Sequence, residues 1–138
     1  MRVNTTRFGD VEIDKDMLIN FSSGIPGHSK LNKYFLIDYR DIIKWLHAVD
    51  EPETAFLVTN PFNFFPSYSF KISDDIEKFL GIKRAGDIAV IVLLALNNDL
   101  ITADLKEPLV INVSNKKASQ LVLRDTIYSS RTPLPFIS

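Results

Sequence analysis

Apolar positions along this chain fall in short runs, and nearly every run is closed by turn chemistry. Asn4 to Arg7 is β-permissive, Phe8-Gly9-Asp10 supplies a turn, and Val11 to Ile13 alternates again. Leu18 to Phe21 reads as a strand ending before Gly24-Ile25-Pro26-Gly27, where glycine supplies positive φ and proline a fixed φ. Tyr34 to Asp38 and Lys44 to Val49 are two further short segments. Asp50-Glu51-Pro52-Glu53 then breaks the chain ahead of Ala55 to Thr59, which is strongly strand-like. Ile88 to Leu96 is a continuous apolar run of strand length, and Ile101 to Leu105 resumes after the turn Asn97-Asn98-Asp99. Leu109 to Val113 and Gln120 to Leu123 are expected as late strands around the polar turn Ser114 to Ala118. Only one stretch has a helical signature: Ser73 as N-cap, acids in the first turn, Ile76, Phe79 and Leu80 at helical spacing, and Gly81 as the stop. Such spacing of strands and turns predicts an all-β sandwich or barrel in one domain spanning 1–138. Pro133 and Pro135 exclude a central strand beyond Pro133, so residues 131–138 are expected to form a loose tail.

Two local patterns stand out from this background. Asp10, Glu12, Asp14 and Asp16 occupy alternate positions, so an extended chain would show them on one face and Val11, Ile13 and Met17 on the other. That is an ordinary solvated strand face, or else an acidic stripe that attracts a basic partner. Second, Phe62, Phe64, Phe65, Tyr68 and Phe70 crowd beside Pro61 and Pro66. Core burial accounts for such rings, with Phe62 and Phe64 pointing inward from a strand. The prolines, however, limit ladder pairing and place part of the segment at an edge or loop, where aromatics can anchor a partner.

Composition narrows the chemistry. At 46% hydrophobic and 24% charged residues the chain is globular rather than disordered, and no apolar run approaches the roughly 20 residues that span a bilayer. With no cysteine there is no disulfide, thiolate nucleophile or cysteine-ligated metal. Sixteen Lys and Arg against seventeen Asp and Glu leave a formal charge of -1, without the basic excess of a nucleic-acid binder. His28 follows a turn and is expected to be solvent-exposed; His47, inside Trp45-Leu46-His47-Ala48-Val49, is expected to be a hydrogen-bonded structural residue. Neither a G-x-S-x-G elbow nor a glycine-rich phosphate loop is present. Helix capping explains the Asp74-Asp75 pair. No catalytic residue, metal ligand or cofactor site is assigned, and neither a small-molecule substrate nor a membrane is expected. The N-terminus lacks a signal-peptide apolar stretch, so a cytoplasmic location is expected.

Longer motifs carry a family resemblance. Thr6-Arg7-Phe8-Gly9 with Val11-Glu12-Ile13, then Gly24-Ile25-Pro26-Gly27, resemble the opening signatures of FliW proteins. Trp45-Leu46-His47-Ala48-Val49-Asp50-Glu51-Pro52-Glu53-Thr54-Ala55-Phe56 is similar to the family's W-L-Q-S-V-D-D-P-E-L-A-F. Asn60-Pro61-Phe62, Phe64-Phe65-Pro66-Ser67-Tyr68, Ile101 to Leu105, Pro108 to Asn112 and Tyr128 to Leu134 follow in the family's order. The chain departs from the pattern at His28 (commonly aromatic), His47 (Gln), Ser67 (Asp), Asp104 (Asn) and Thr132 (His), and Lys106-Glu107 interrupts an apolar stretch.

The resemblance implies a mainly β, antiparallel β-barrel-like fold with one or two short helices. It also implies two protein partners: flagellin, and the basic translational regulator CsrA, whose repression of flagellin mRNA would be relieved. Phe62, Phe64, Phe65, Tyr68, Leu105, Leu109 and Ile111 are the candidates for flagellin. Asp10, Glu12, Asp14, Asp50, Glu51 and Glu53 are the candidates for CsrA. A small β-barrel hydrolase or ligand carrier is the alternative, which a buried polar pocket with shifted carboxylates would favour. A direct RNA binder would instead show a basic face bearing exposed aromatics.

Overall fold

β-branched and aromatic residues set most of the strands, and positive-φ residues turn the chain at Asp41 and at Asn98 and Asp99. The computed structural model describes residues 1–25 and 27–135. In chain order the strands are β1 (Arg2–Thr5), β2 (Gly9–Glu12), β3 (Ile19–Phe21), β4 (Lys33–Arg40), β5 (Ile43–Ala48) and β6 (Ala55–Thr59). After helix α1 (Asp74–Leu80) come β7 (Ile88–Asn97), β8 (Leu100–Ala103), β9 (Leu109–Asn112), β10 (Lys117–Gln120) and β11 (Thr132–Pro133). Short 3-10 turns occupy Lys15–Met17, Pro61–Asn63 and Ala85–Asp87.

Strands β3, β4, β5, β6, β7, β9 and β10 close into a barrel, because β7 pairs with β6 on one side and with β9 on the other. The mainly β fold with a single α-helix is as the sequence predicts, except that one junction is parallel: β10 runs alongside β3, matching Lys117 to Asn20. The second half of β7 leaves the ring to pair with β8, which pairs with β11. Strands β1 and β2 form a separate hairpin packed on the outside of the barrel, with Val3 and Ile13 against Phe35.

Strand parity fixes inside and outside. Phe21, Tyr34, Leu46, Val58, Ile91, Leu109 and Ile111 fill the barrel interior. Alternate residues of β7 and β9 face outward: Val92 lies beneath the aromatic segment, and Val110 lies with Leu80 of the helix. The helix forms as predicted. Ser73 accepts the Ile76 amide at 3.3 Å, and Gly81 stops the helix at φ 70°.

Several boundaries differ from the expectation. The first hairpin turns at Thr6 to Phe8 rather than at Phe8 to Asp10, because Thr5 Oγ1 accepts the Phe8 amide and donates to the Gly9 carbonyl, each at 2.8 Å. The acidic alternation ends at Asp14, where the turn Lys15–Met17 begins, and Met17 is exposed instead of facing the core. The late strand is Lys117–Gln120, not Gln120 to Leu123; a tight turn at Val113 to Asn115 returns the chain early, so Ala118 pairs with Ile111. No strand runs through the aromatic segment: Phe62 sits in a 3-10 turn capped by Asn60, whose Oδ1 accepts the Phe62 amide at 2.9 Å. The tail is not loose from residue 131. Thr132 and Pro133 pair with Ala103 and Thr102, as a proline-bearing edge strand can, and Leu134 packs beside Tyr68. Residues 136–138 of that expected tail lie outside the described residues.

Candidate protein-binding surfaces

The aromatic segment lies on the outer wall of the barrel, across β7 and β8. Tyr68 is its buried centre. Its ring packs 5.8 Å from Phe62, 5.4 Å from Phe70 and edge-on at 4.6 Å from Tyr128. Its hydroxyl donates to the Leu105 carbonyl at 2.7 Å, and the Tyr128 hydroxyl accepts the Ser69 amide at 3.0 Å. Burial, followed by the nearby Tyr128 and Asp104, pushes the Tyr68 phenol far above its usual range. Tyr68 is therefore a fastener between the segment and the wall.

The seven flagellin candidates divide accordingly. Leu109 and Ile111 lie inside the barrel, Tyr68 is the buried centre of the segment, and Leu105 is buried beneath it. None of these four can touch a partner without opening the fold, because parity or the overlying segment turns each away from solvent. Phe64 and Phe65 are half-buried, and Phe62 is 41% exposed. The outward line on β7 continues from Leu94 to Leu96, which is 64% exposed, giving the wall an open apolar end that sequence reading did not single out. Residues Ile88 to Leu96 are apolar at every position, so the sequence did not show which side of the strand would be left open.

Asp104 adjoins this wall. Burial raises its carboxyl to about 6, the backbone amide of Glu107 opposes the rise by donating to Oδ1 at 3.0 Å, and the Glu107 charge adds to it. An acid thus sits where the rest of the wall is apolar.

The acidic candidates occupy the hairpin and one corner. Asp10, Glu12 and Asp14 are exposed; Asp10 accepts the Asn4 amide nitrogen at 3.1 Å and Glu12 accepts the Met1 amine at 2.8 Å. Asp50 and Glu53 are exposed and Glu51 is half-buried. The Pro52 carbonyl accepts the Thr6 amide at 2.9 Å, so the corner is tied to the tip of the hairpin. Glu51 and Glu53 also line a notch of about 640 Å³ opposite His28 and Lys30. His28 is half-buried rather than exposed, its ring edge-on to Phe56 at 5.3 Å. His47 is structural as expected: it is buried against Phe35, and Nδ1 is 2.7 Å from the Ala48 carbonyl, which sets that nitrogen as the donor.

A larger cavity of about 780 Å³ opens at one mouth of the barrel, floored by Ile19, Leu36, Val58, Ile91 and Ile111. Asp16, Asp41, Lys44 and Lys116 also line it, while the shifted carboxyl of Asp104 lies elsewhere. Among the described residues no helix is long and apolar enough to cross a membrane.

The fold and these surfaces define a small β-barrel that carries an apolar wall and an acidic corner on its outside. The chain belongs to the FliW protein family, whose model matches residues 2–134. It is 37% identical to the flagellar assembly factor FliW of Alkaliphilus metalliredigens, over 95% of this chain and 84% of that protein. It is 31% identical to the flagellar assembly factor FliW of Caldanaerobacter subterraneus, over 97% of this chain and 93% of that protein. A crystal structure of the flagellar assembly factor FliW superposes with a TM-score of 0.91 at 29% identity, covering the whole of both chains.

Proposed function

We propose that this chain is a flagellar assembly factor working in the cytoplasm, where it binds flagellin and, when flagellin is scarce, holds CsrA away from flagellin mRNA. Membership of the FliW family carries this reading. Two surfaces support it. An amphipathic segment of flagellin would lay its apolar side on the wall formed by Phe62, Phe64, Phe65 and Leu96. Asp10, Glu12, Asp14 and the corner Asp50, Glu51 and Glu53 would attract basic CsrA. Feedback needs only that each partner lower the affinity for the other, and that coupling is reciprocal by linkage. In calorimetric competition, saturating flagellin should weaken CsrA binding by the same factor as CsrA weakens flagellin. Independent binding of the two would sink the feedback reading. Charge reversal of Asp50 and Glu51 to Lys should weaken CsrA about tenfold at low salt and flatten its salt dependence, with flagellin affinity kept.

A further inference from the structure

The outer face of β4 and β5 carries an arrangement that neither proposed surface uses. Arg7, in the turn between β1 and β2, lays its guanidinium 4.4 Å from the centre of the Trp45 ring on β5. Trp45 meets Tyr39 of β4 edge-on at 5.9 Å, and the guanidinium of Arg40 lies 5.3 Å from the Tyr39 ring. Four side chains from three elements therefore stand in the order Arg, Trp, Tyr, Arg. A register shift between Asp38 and Arg40 places Tyr39 at a bulge, the kind of irregularity that re-aims side chains.

The two guanidiniums are held but not neutralised. Among the described residues the ion pairs are Met1 with Glu12, Lys44 with Asp38, and Arg84 with Asp87; Arg7 and Arg40 form none and donate no hydrogen bond. Both arginines are exposed, and Tyr39 is 51% exposed. Lys44 pairs with Asp38 at 3.5 Å, and neither Asp41 beside Arg40 nor the Asp50–Glu53 corner tied to the hairpin at Thr6 forms an ion pair with either guanidinium among the described residues. An arginine stacked on an aromatic ring has already lost much of its rotamer freedom, so its planar edge can take a carboxylate bidentately at little further ordering cost. Arg, Trp and Tyr are also the residues enriched where binding energy concentrates.

From this geometry we propose that the Arg7–Trp45–Tyr39–Arg40 cluster is a docking surface for an acidic segment of a partner protein, whose carboxylates would pair with the two guanidiniums. Its charge preference is opposite to that of the Asp50–Glu53 corner, so it would serve a different partner segment from basic CsrA. Single-stranded RNA fits less well, because Arg7 covers the Trp45 ring, Arg40 lies over Tyr39, and base stacking needs free ring faces.

Trp45 is the chain's one tryptophan, so its emission reports on the site directly. The full chain would be titrated with a dye-labelled peptide of alternating Glu and Leu, following both Trp45 emission and dye anisotropy. The same peptide with Gln for Glu, and an oligouridylate of equal charge, are the comparisons. Saturable binding of the Glu peptide is expected, weakened at least fivefold by Arg7→Gln or Arg40→Gln and abolished by both together. Arg7→Lys, which keeps the charge and loses the fork, should also weaken it. Equal binding of the Gln peptide, full affinity in the folded double variant, or preference for the oligouridylate would each overturn the proposal, as would no saturable binding of the Glu peptide.

Discussion

Strand β7 separates two regions built from the same kind of residue. On its inner side Ala89, Ile91 and Leu93 meet the ring of strands; on its outer side Val90, Val92 and Leu94 meet the aromatic segment, with Leu96 beyond it. The ring encloses the inner side, so occupancy there is a question of volume. The segment from Phe62 to Phe70, together with Tyr128 and Leu134, covers only part of the outer side. Exposure consequently climbs from buried Val92 through half-buried Leu94 to open Leu96. Hydrophobic composition therefore does not distinguish the enclosed core from the partly open outer wall here. Closure does.

The sharpest contrast should come from one truncation inside the barrel. Leu109→Ala removes a fully buried side chain within the ring and should cost about 2–5 kcal/mol in urea unfolding. A loss under about 1 kcal/mol would mean that the interior is not close-packed.

Asp104 tests the boundary between the regions. Its folded value, about 6, lies above the ordinary carboxylate value of 3.8, so the native state retains a proton that the unfolded chain gives up. This group's contribution to stability therefore falls as pH rises from about 4 to about 6 and stays low above that. Asp104→Asn should remove that slope and stabilise the protein by about 1–2 kcal/mol at pH 7.5, allowing for partial solvent access. Parallel stability curves for the two proteins across this range would contradict the assigned environment.

Phe62→Ser should change stability least, by under about 1 kcal/mol, since its ring is substantially exposed. Flagellin affinity should nonetheless fall about tenfold, a cost near 1.4 kcal/mol. Unchanged affinity in this folded variant would remove the outer wall as the flagellin surface.

Much of the architecture could be read in advance where local chemistry acts alone. Ser73 and Gly81 define the helix, and Ala55 to Thr59 matches β6 because turns bound it on both sides. Strand β10 was misplaced because alternation allows several registers and the tight turn ending near Asn115 selects one. Leu109 and Ile111 could be taken for surface anchors because Leu109, Val110 and Ile111 are apolar in succession, and without the sheet parity does not say which side is interior. The stacking of Arg7 on Trp45 was invisible for a different reason: it depends on where a separate hairpin docks, and nothing local encodes that contact.

The parallel junction has a consequence for how the protein is made. Asn20 must wait for Lys117, so most of the chain has to emerge from the ribosome before the last gap in the ring can close. Until Leu109–Asn112 has been made, β7 has no β9 to pair with, leaving a long apolar ribbon with an open edge. The nascent protein is thus most adhesive between the synthesis of β7 and that of β9, and slow formation of the β9–β10 hairpin would delay closure of the ring.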